Sequence, residues 1–284
     1  MAHGNSCFKW LTYLVLVSFM FLMMRQTDVR AFSFEKAVVV DGVTGEVLYD
    51  HLGRERANVA SLTKIMTAIV ALEYGQLDDE TIVSERASKM EGSSVYLKPG
   101  TRISLRDLLY ALMLRSGNDA SVAIAEMIGG SEAGFVFLMN EKARMLGLYD
   151  TCFKNAHGLD SDNHYSSAYD LAVMTQVALG FNAFIDISGA RAYQSQAVDY
   201  PWIHKHKLVK YHVAPSVLGK TGYTKSAGRT LMTVFEKNQR PIIVVTLNAP
   251  NDWLDHQQLL ATVNVSKETN EIVPHPLLGV RICR

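Results

Sequence analysis

The chain has 284 residues, 48% of them hydrophobic, which is enough for one large domain or two small ones. Lys and Arg number 28, as do Asp and Glu, so there is no electrostatic case for nucleic acid or an anionic membrane surface as a partner. With 7 Pro, 19 Gly and no internal repeat or low-complexity run, the composition is that of an ordered protein without a long flexible linker.

The N-terminus reads as an address. Lys9 precedes an apolar stretch from Trp10 to Met24, and Val29-Arg30-Ala31 places small residues for cleavage. The pattern predicts a secretory signal over residues 1–31, with a mature protein starting near Phe32. The stretch is about 15 residues, short of the about 20 that a spanning helix needs. Arg25 and Arg30 make a poor cleavage region, so an uncleaved anchor stays open. Cys7 lies before the apolar run and is no lipoprotein cysteine. Cys152 and Cys283 can pair, although two cysteines do not make a disulfide framework.

Lys36–Val40, the turn Asp41-Gly-Val-Thr-Gly45 and Glu46–Asp50 read as strand, turn, strand. Residues 58–73 follow as a strongly apolar helix that Gly75 ends, with Ser61 and Lys64 three residues apart and therefore on one face. From Leu62 to Leu72 only Thr63, Lys64 and Thr67 are polar. A helix apolar on nearly every side is a buried one, so desolvation should lower the pKa of Lys64 and make it usable as a base. A serine beside such a lysine is an activated nucleophile, and the helix N-terminus favours negative charge developing there. Taken alone the tetrapeptide also fits a core helix whose lysine snorkels to the surface.

Glu91 to Arg102 looks like loop with short extended pieces. Ser104 opens a helix to about Arg115, Ser116-Gly117-Asn118 interrupts it, and Asp119–Ile128 and Ser131–Leu146 are the next two. Ser167 caps another that ends near Gly180. Val217–Gly222, Arg229–Phe235 and Pro241–Asn248 read as strands, and Asp252–Val263 as a closing helix. Strands at both ends around a helical middle predict one antiparallel sheet assembled from both termini, with an inserted helical lobe and a groove between them. Residues 266–284 look like a tail, leaving 32–265 as the folded domain.

Three pieces stand in order: Ser61-Leu-Thr-Lys64, Ser116-Gly-Asn118 and Lys220-Thr-Gly222. Each is weak alone, but the ordered trio resembles the penicillin-binding protein and serine β-lactamase superfamily. The finer resemblance is to the low-molecular-weight D-alanyl-D-alanine carboxypeptidases. It runs through Ala57–Lys64, Ser104–Leu109, Ser116–Ala120, His157-Gly-Leu-Asp160 and Gly219–Thr224, and covers about residues 34–263. It implies an α/β protein of α+β type with the β-lactamase/transpeptidase-like fold, in single-domain form. The larger relatives continue into a β-rich domain and a membrane helix, for which this chain ends too soon.

The implied reaction is removal of the terminal D-alanine from peptidoglycan pentapeptides. Ser61 would attack the carbonyl between two D-alanines, Lys64 would take its proton, and Ser116 would relay a proton towards the leaving amine. Asn118 would hold the peptide amide and Lys64. Lys220, with the Thr221 hydroxyl, would meet the substrate carboxylate, and Gly222 would let the strand edge approach the peptide. By resemblance, the oxyanion hole is the backbone N–H of Ser61 and of Tyr223. β-Lactams would trap Ser61, and no metal, cofactor, nucleic acid or partner protein is called for. A D,D-endopeptidase acting on cross-links uses the same parts and stays open. A class A β-lactamase needs a Glu-x-x-x-Asn stretch, and none occurs between Asp119 and Lys220. A non-enzymatic wall-binding module would not need an intact Ser61, Lys64 and Lys220.

Other features have plainer readings. His204, His206 and His212 lack an acidic or cysteine partner and read as surface or packing residues rather than metal ligands. Phe135, Phe137, Leu138 and Leu146 read as core, and His157 as a structural loop residue. The family often carries an Asn-rich segment where this chain has Trp202–Lys207, which bears on substrate preference. Ser161-Asp162-Asn163 spells a second version of the middle motif, but its polar surroundings read as an exposed turn.

Overall fold

The computed structural model describes residues 31–265; the segment expected to be an export signal, save Ala31, and the expected tail over 266–284 lie outside the described residues. Residues 33–265 fall within one compact unit. Strands β1 (Lys36–Asp41) and β2 (Val47–His51) form the expected hairpin. The first helix begins as a 3-10 turn, Ala60–Thr63, and continues as α1 (Lys64–Tyr74), so Ser61 sits in the tight turn and Lys64 opens the regular helix. Then come β3 (Glu80–Ile82), α2 (Glu85–Ser88), β4 (Arg102–Ser104) and α3 (Leu105–Tyr110). Ser104 caps α3 by accepting the Asp107 N–H at 3.1 Å. A π-turn, Ala111–Arg115, widens the end of that helix and leaves Ser116 left-handed at φ 62°. Such turns recur at functional sites.

Helices α4 (Asn118–Gly129), α5 (Glu132–Met145) and α6 (Ala168–Ala178) follow, the last two capped by Ser131 and Ser167. Next are α7 (Asn182–Gly189), the two-residue ladder of β5 (Ala192–Tyr193) with β6 (Trp202–Ile203), and α8 (Lys207–Lys210). Strands β7 (Ser216–Thr224), β8 (Gly228–Lys237) and β9 (Arg240–Leu247) and helix α9 (Asp252–Thr262) end the described fold.

The main sheet has the order β2-β1-β9-β8-β7 and is antiparallel throughout. The last long strand pairs beside the first, as the reading from both termini requires. β1 and β9 are buried along nearly their whole length because α6 packs on both of them and α9 packs on β8 and β9. That is why they read as unbroken runs of Val and Ile rather than as alternating strands. β7 is left at the sheet edge, and the helical lobe faces it.

Phe135 is core, but Phe137 is 64% exposed, which corrects the expectation that both pack inside. Residues two apart on a helix point to nearly opposite sides, so one of them had to face out. Cys152 is buried and disulfide-bonded; its partner lies outside the described residues, as does Cys283. Among the described residues no single helix is long and apolar enough to cross a membrane.

Candidate active site

The turn carrying Ser61 is pressed between two glycine contacts. Gly158, at φ +87°, lies so close that a Cβ there would stand 2.0 Å from the Ala60 carbonyl. On the other side a Cβ on Gly222 would stand 3.0 Å from the Ser61 nitrogen and 2.3 Å from Thr230 Oγ1. Only residues without side chains allow this approach. Ala60 itself is left-handed at φ 48°.

Lys64 is wholly buried, and its Nζ lies 3.0 Å from Ser61 Oγ and 2.8 Å from Asn118 Oδ1. Its third partner is the His157 carbonyl at 2.5 Å. Burial pushes the Lys64 pKa well down, the positive Lys205 adds to this, and Asp119 opposes it. Lys220, also wholly buried, lies 2.9 Å from Ser116 Oγ and 2.8 Å from the Thr221 carbonyl. Its pKa is likewise lowered by burial and by Lys64 and Lys205.

Ser61, Ser116, Thr221, Gly222 and Tyr223 line one cleft of about 380 Å³ between the helical lobe and the open edge of β7. All the expected residues therefore gather in one place. Lys64, Asn118 and Lys220 stand behind its wall, Lys64 on Ser61, Lys220 on Ser116 and Asn118 on Lys64. Ser161 is exposed in the turn that ends at His164 and lies outside this group.

Several cleft residues were not singled out in the sequence reading, although Lys205 and Lys207 fall in the Trp202–Lys207 segment it tied to substrate preference. Ser93, Lys205, Lys207, Arg229, Asp252 and Trp253 complete the lining. Lys205 Nζ donates to Ser93 Oγ at 2.9 Å, and burial lowers its pKa. Arg229 reaches both Asp252 oxygens at 2.9 Å. Asp119, buried beside Asn118, accepts Ser94 Oγ at 2.6 Å and the N–H of Val95 and Leu97 at 3.1 Å. It thereby folds the loop that carries Ser93 over the cleft.

His204 and His206 are buried, as packing residues. The His206 N–H donates to His204 Nδ1, whose ring faces the Ser188 carbonyl at 3.1 Å. His206 Nε2 and His256 Nδ1 both meet Thr233 Oγ1, at 2.9 and 2.8 Å. Among the described residues no group of three His, Cys, Asp or Glu is placed to hold a metal ion.

A hydroxyl and a desolvated amine 3.0 Å apart, at the mouth of a groove flanked by a sheet edge, are the parts of a serine acyl-transfer site. Sheet, lobe and groove together define the penicillin-binding protein and D,D-peptidase fold. The D-alanyl-D-alanine carboxypeptidase family matches over residues 23–251, and the chain belongs to that family. It is 40% identical over 231 residues to D-alanyl-D-alanine carboxypeptidase DacF of Bacillus subtilis, covering 78% of this chain and 59% of that relative. The chain thus spans less than two thirds of that relative's length. Penicillin binding protein 6B of Escherichia coli superposes with a TM-score of 0.75 at 30% identity, over 84% of this chain and 79% of that one. A D-alanyl-D-alanine carboxypeptidase of Mycobacterium tuberculosis does so with a TM-score of 0.77 at 26% identity, over 84% and 93%.

Proposed function

We propose that this protein is an exported serine-type D-alanyl-D-alanine carboxypeptidase that trims the terminal D-alanine from peptidoglycan pentapeptides and is acylated by β-lactams. The observation that carries the reading is the buried Lys64 amine on Ser61 Oγ, beside a second serine–lysine pair, Ser116 and Lys220. Ser61 attacks the penultimate carbonyl while Lys64 accepts its proton. Ser116 passes a proton to the departing D-alanine nitrogen. Asn118 holds Lys64 and the substrate amide, and Lys220 with Thr221 receives the terminal carboxylate. The N–H groups of Ser61 and Tyr223 stabilise the oxyanion; such a donor is typically worth about 3 kcal/mol. The peptide lies along the free edge of β7 as an added strand, and water then releases the acyl group.

Residues 1–31 act as the export signal and residues 32–265 as the catalytic domain, so the enzyme works at the cell wall. The test is to incubate the protein with a defined muropentapeptide and with a cross-linked dimer, and to identify the products by mass. Loss of one D-alanine from the pentapeptide is expected. Cleavage of the dimer alone would make the protein an endopeptidase. Ser61→Ala should abolish D-alanine release and covalent penicillin labelling together; labelling that persists at another residue overturns the assignment.

A further inference from the structure

The three oxygens around Lys64 Nζ differ in what they can give. A charged ammonium donates to Ser61 Oγ, Asn118 Oδ1 and His157 O alike. A free amine has two hydrogens and one lone pair. Asn118 Oδ1 and the His157 carbonyl can only accept. The Asn118 amide is kept in this orientation because its Nδ2 donates to the Glu91 carbonyl at 2.7 Å. These two acceptors take both hydrogens of the free amine, and its lone pair is left facing Ser61 Oγ, the one neighbour with a proton to give. Losing either acceptor lets the amine turn.

The His157 carbonyl is held from several sides. Asn155 Oδ1 accepts the N–H of His157 at 3.2 Å and of Gly158 at 2.7 Å, and Thr67 Oγ1 donates to the Ala156 carbonyl at 2.7 Å. The His157 ring supplies one more restraint. Its Nδ1 accepts the Leu159 N–H at 3.2 Å, so the ring proton sits on Nε2, 3.4 Å from Glu132 Oε1. At that length the contact is electrostatic, a ring N–H facing a carboxylate oxygen that accepts no full hydrogen bond. Glu132 stands in the first turn of α5, its side chain 13% exposed, with its other oxygen on Arg86. The His157 ring is the largest of the influences that lower the Glu132 pKa, ahead of the opposing effect of burial.

We propose that Glu132 is a positioning residue: through the His157 ring it holds the His157 carbonyl on Lys64 Nζ and so keeps the lone pair of Lys64 on Ser61. The proposal rests on Lys64 being the base for Ser61. A merely structural role, as an acidic residue at a helix N-terminus, would stabilise the fold without touching Lys64.

The test is the rate of Ser61 acylation by benzylpenicillin as a function of pH. An acceptor on an N–H favours the ammonium form, so displacing the His157 carbonyl lowers the Lys64 pKa further. In Glu132→Ala the acidic limb of the profile should therefore move to lower pH, while the plateau rate falls about tenfold or more because the amine is misaimed. Glu132→Gln keeps an acceptor for Nε2 and should recover most of the rate. A plateau in Glu132→Ala within about twofold of the unaltered protein overturns the proposal, as does a lowered plateau with an unmoved acidic limb. If Glu132→Ala fails to fold, Glu132→Asp, which withdraws the carboxylate by one methylene, takes its place with the same two expectations. Lys64→Ala separates the proposal from its premise. Normal acylation in that variant removes the base reading, whereas an inactive Lys64→Ala beside a normal Glu132→Ala removes the positioning role alone.

Discussion

Lys220 Nζ lies 2.9 Å from Ser116 Oγ, so each buried lysine holds one serine: Lys64 holds Ser61 and Lys220 holds Ser116. The polar partners of the Lys220 amine are a hydroxyl and a carbonyl, neither of which carries the charge that would offset its burial. Its pKa is lowered for that reason, and a substrate carboxylate arriving at the cleft would raise it again.

Binding should therefore take up a proton. At pH 9, titrating Ser61→Ala with an acylated D-Ala-D-Ala peptide in buffers of different ionisation enthalpy should show net proton uptake. The dissociation constant should also rise with pH, because the ligand prefers the protonated lysine. Titrations without uptake would mean that Lys220 is already charged in the free cleft.

Gly222→Ala should separate the two halves of the site without unfolding the sheet. The added methyl meets Thr230 Oγ1 at 2.3 Å and the Ser61 nitrogen at 3.0 Å. Thr230 cannot simply swing away, since its hydroxyl donates to the Val59 carbonyl at 3.1 Å. The strand must move off Ser61, and a displacement of about 1 Å at a reacting centre costs on the order of 10²-fold. Penicillin acylation rates measured beside circular dichroism test this. A rate near that of the unaltered protein would show that the close packing of β7 on Ser61 is not needed.

Much of this architecture was legible in the sequence for local reasons. The strands are β-branched runs between turn signals, and Ser104, Ser131 and Ser167 announce their helices by capping. Helix α7 was missed because Phe181 before it offers no side-chain cap, and the β5–β6 ladder because two residues carry no periodicity. The Ser61–Lys64 pair was readable because one helix turn brings it together. Arg229, Asp252 and Trp253 were not, because they reach the cleft from separate segments of the chain. Nor does a backbone carbonyl such as that of His157 leave any mark in a sequence.

Stability should fall on the acid side of neutrality. His206 Nδ1 accepts the Val209 N–H at 3.4 Å, so Nε2 donates to Thr233, and the Thr233 hydroxyl is then free to donate to His256 Nδ1. His256 Nε2 in turn meets Thr246 Oγ1 at 3.0 Å. Every ring here needs one bare nitrogen, and burial holds the pKa of His204 to about 4 and of His256 to about 3, with His206 also well down. His164, which meets Thr63 Oγ1 at 2.8 Å, is held to about 4 by its burial. Below the ordinary histidine value the unfolded chain binds these protons and the folded chain does not. Stability is then complete above about pH 6.5 and is lost as pH falls, by about 1.4 kcal/mol per group and pH unit. Asp170, raised to about 6 by burial, and Asp252, also raised, act in the opposite sense, so two carboxylates oppose four histidines. Urea midpoints should rise from pH 4.5 to 7; a flat or falling series would contradict the assignment of four neutral histidines.

The two serine–x–asparagine candidates give the sharpest contrast. Ser116 is left-handed at the end of a π-turn, buried, and fixed by Lys220, so its hydroxyl is presented at one orientation beside Ser61. Ser161 starts an exposed turn in which its carbonyl accepts the His164 N–H at 3.0 Å. A positioned proton carrier is worth roughly 10² or more, and a solvent-facing hydroxyl next to nothing. Ser116→Ala should cut D-alanine release from a pentapeptide by about 10²-fold or more while leaving the thermal midpoint nearly unchanged. Ser161→Ala should stay within about threefold of the unaltered rate. The reverse pattern would mean that the proton reaches the leaving nitrogen from the 160–164 turn, and that the Ser116–Lys220 contact serves only to pack the helical lobe against β7.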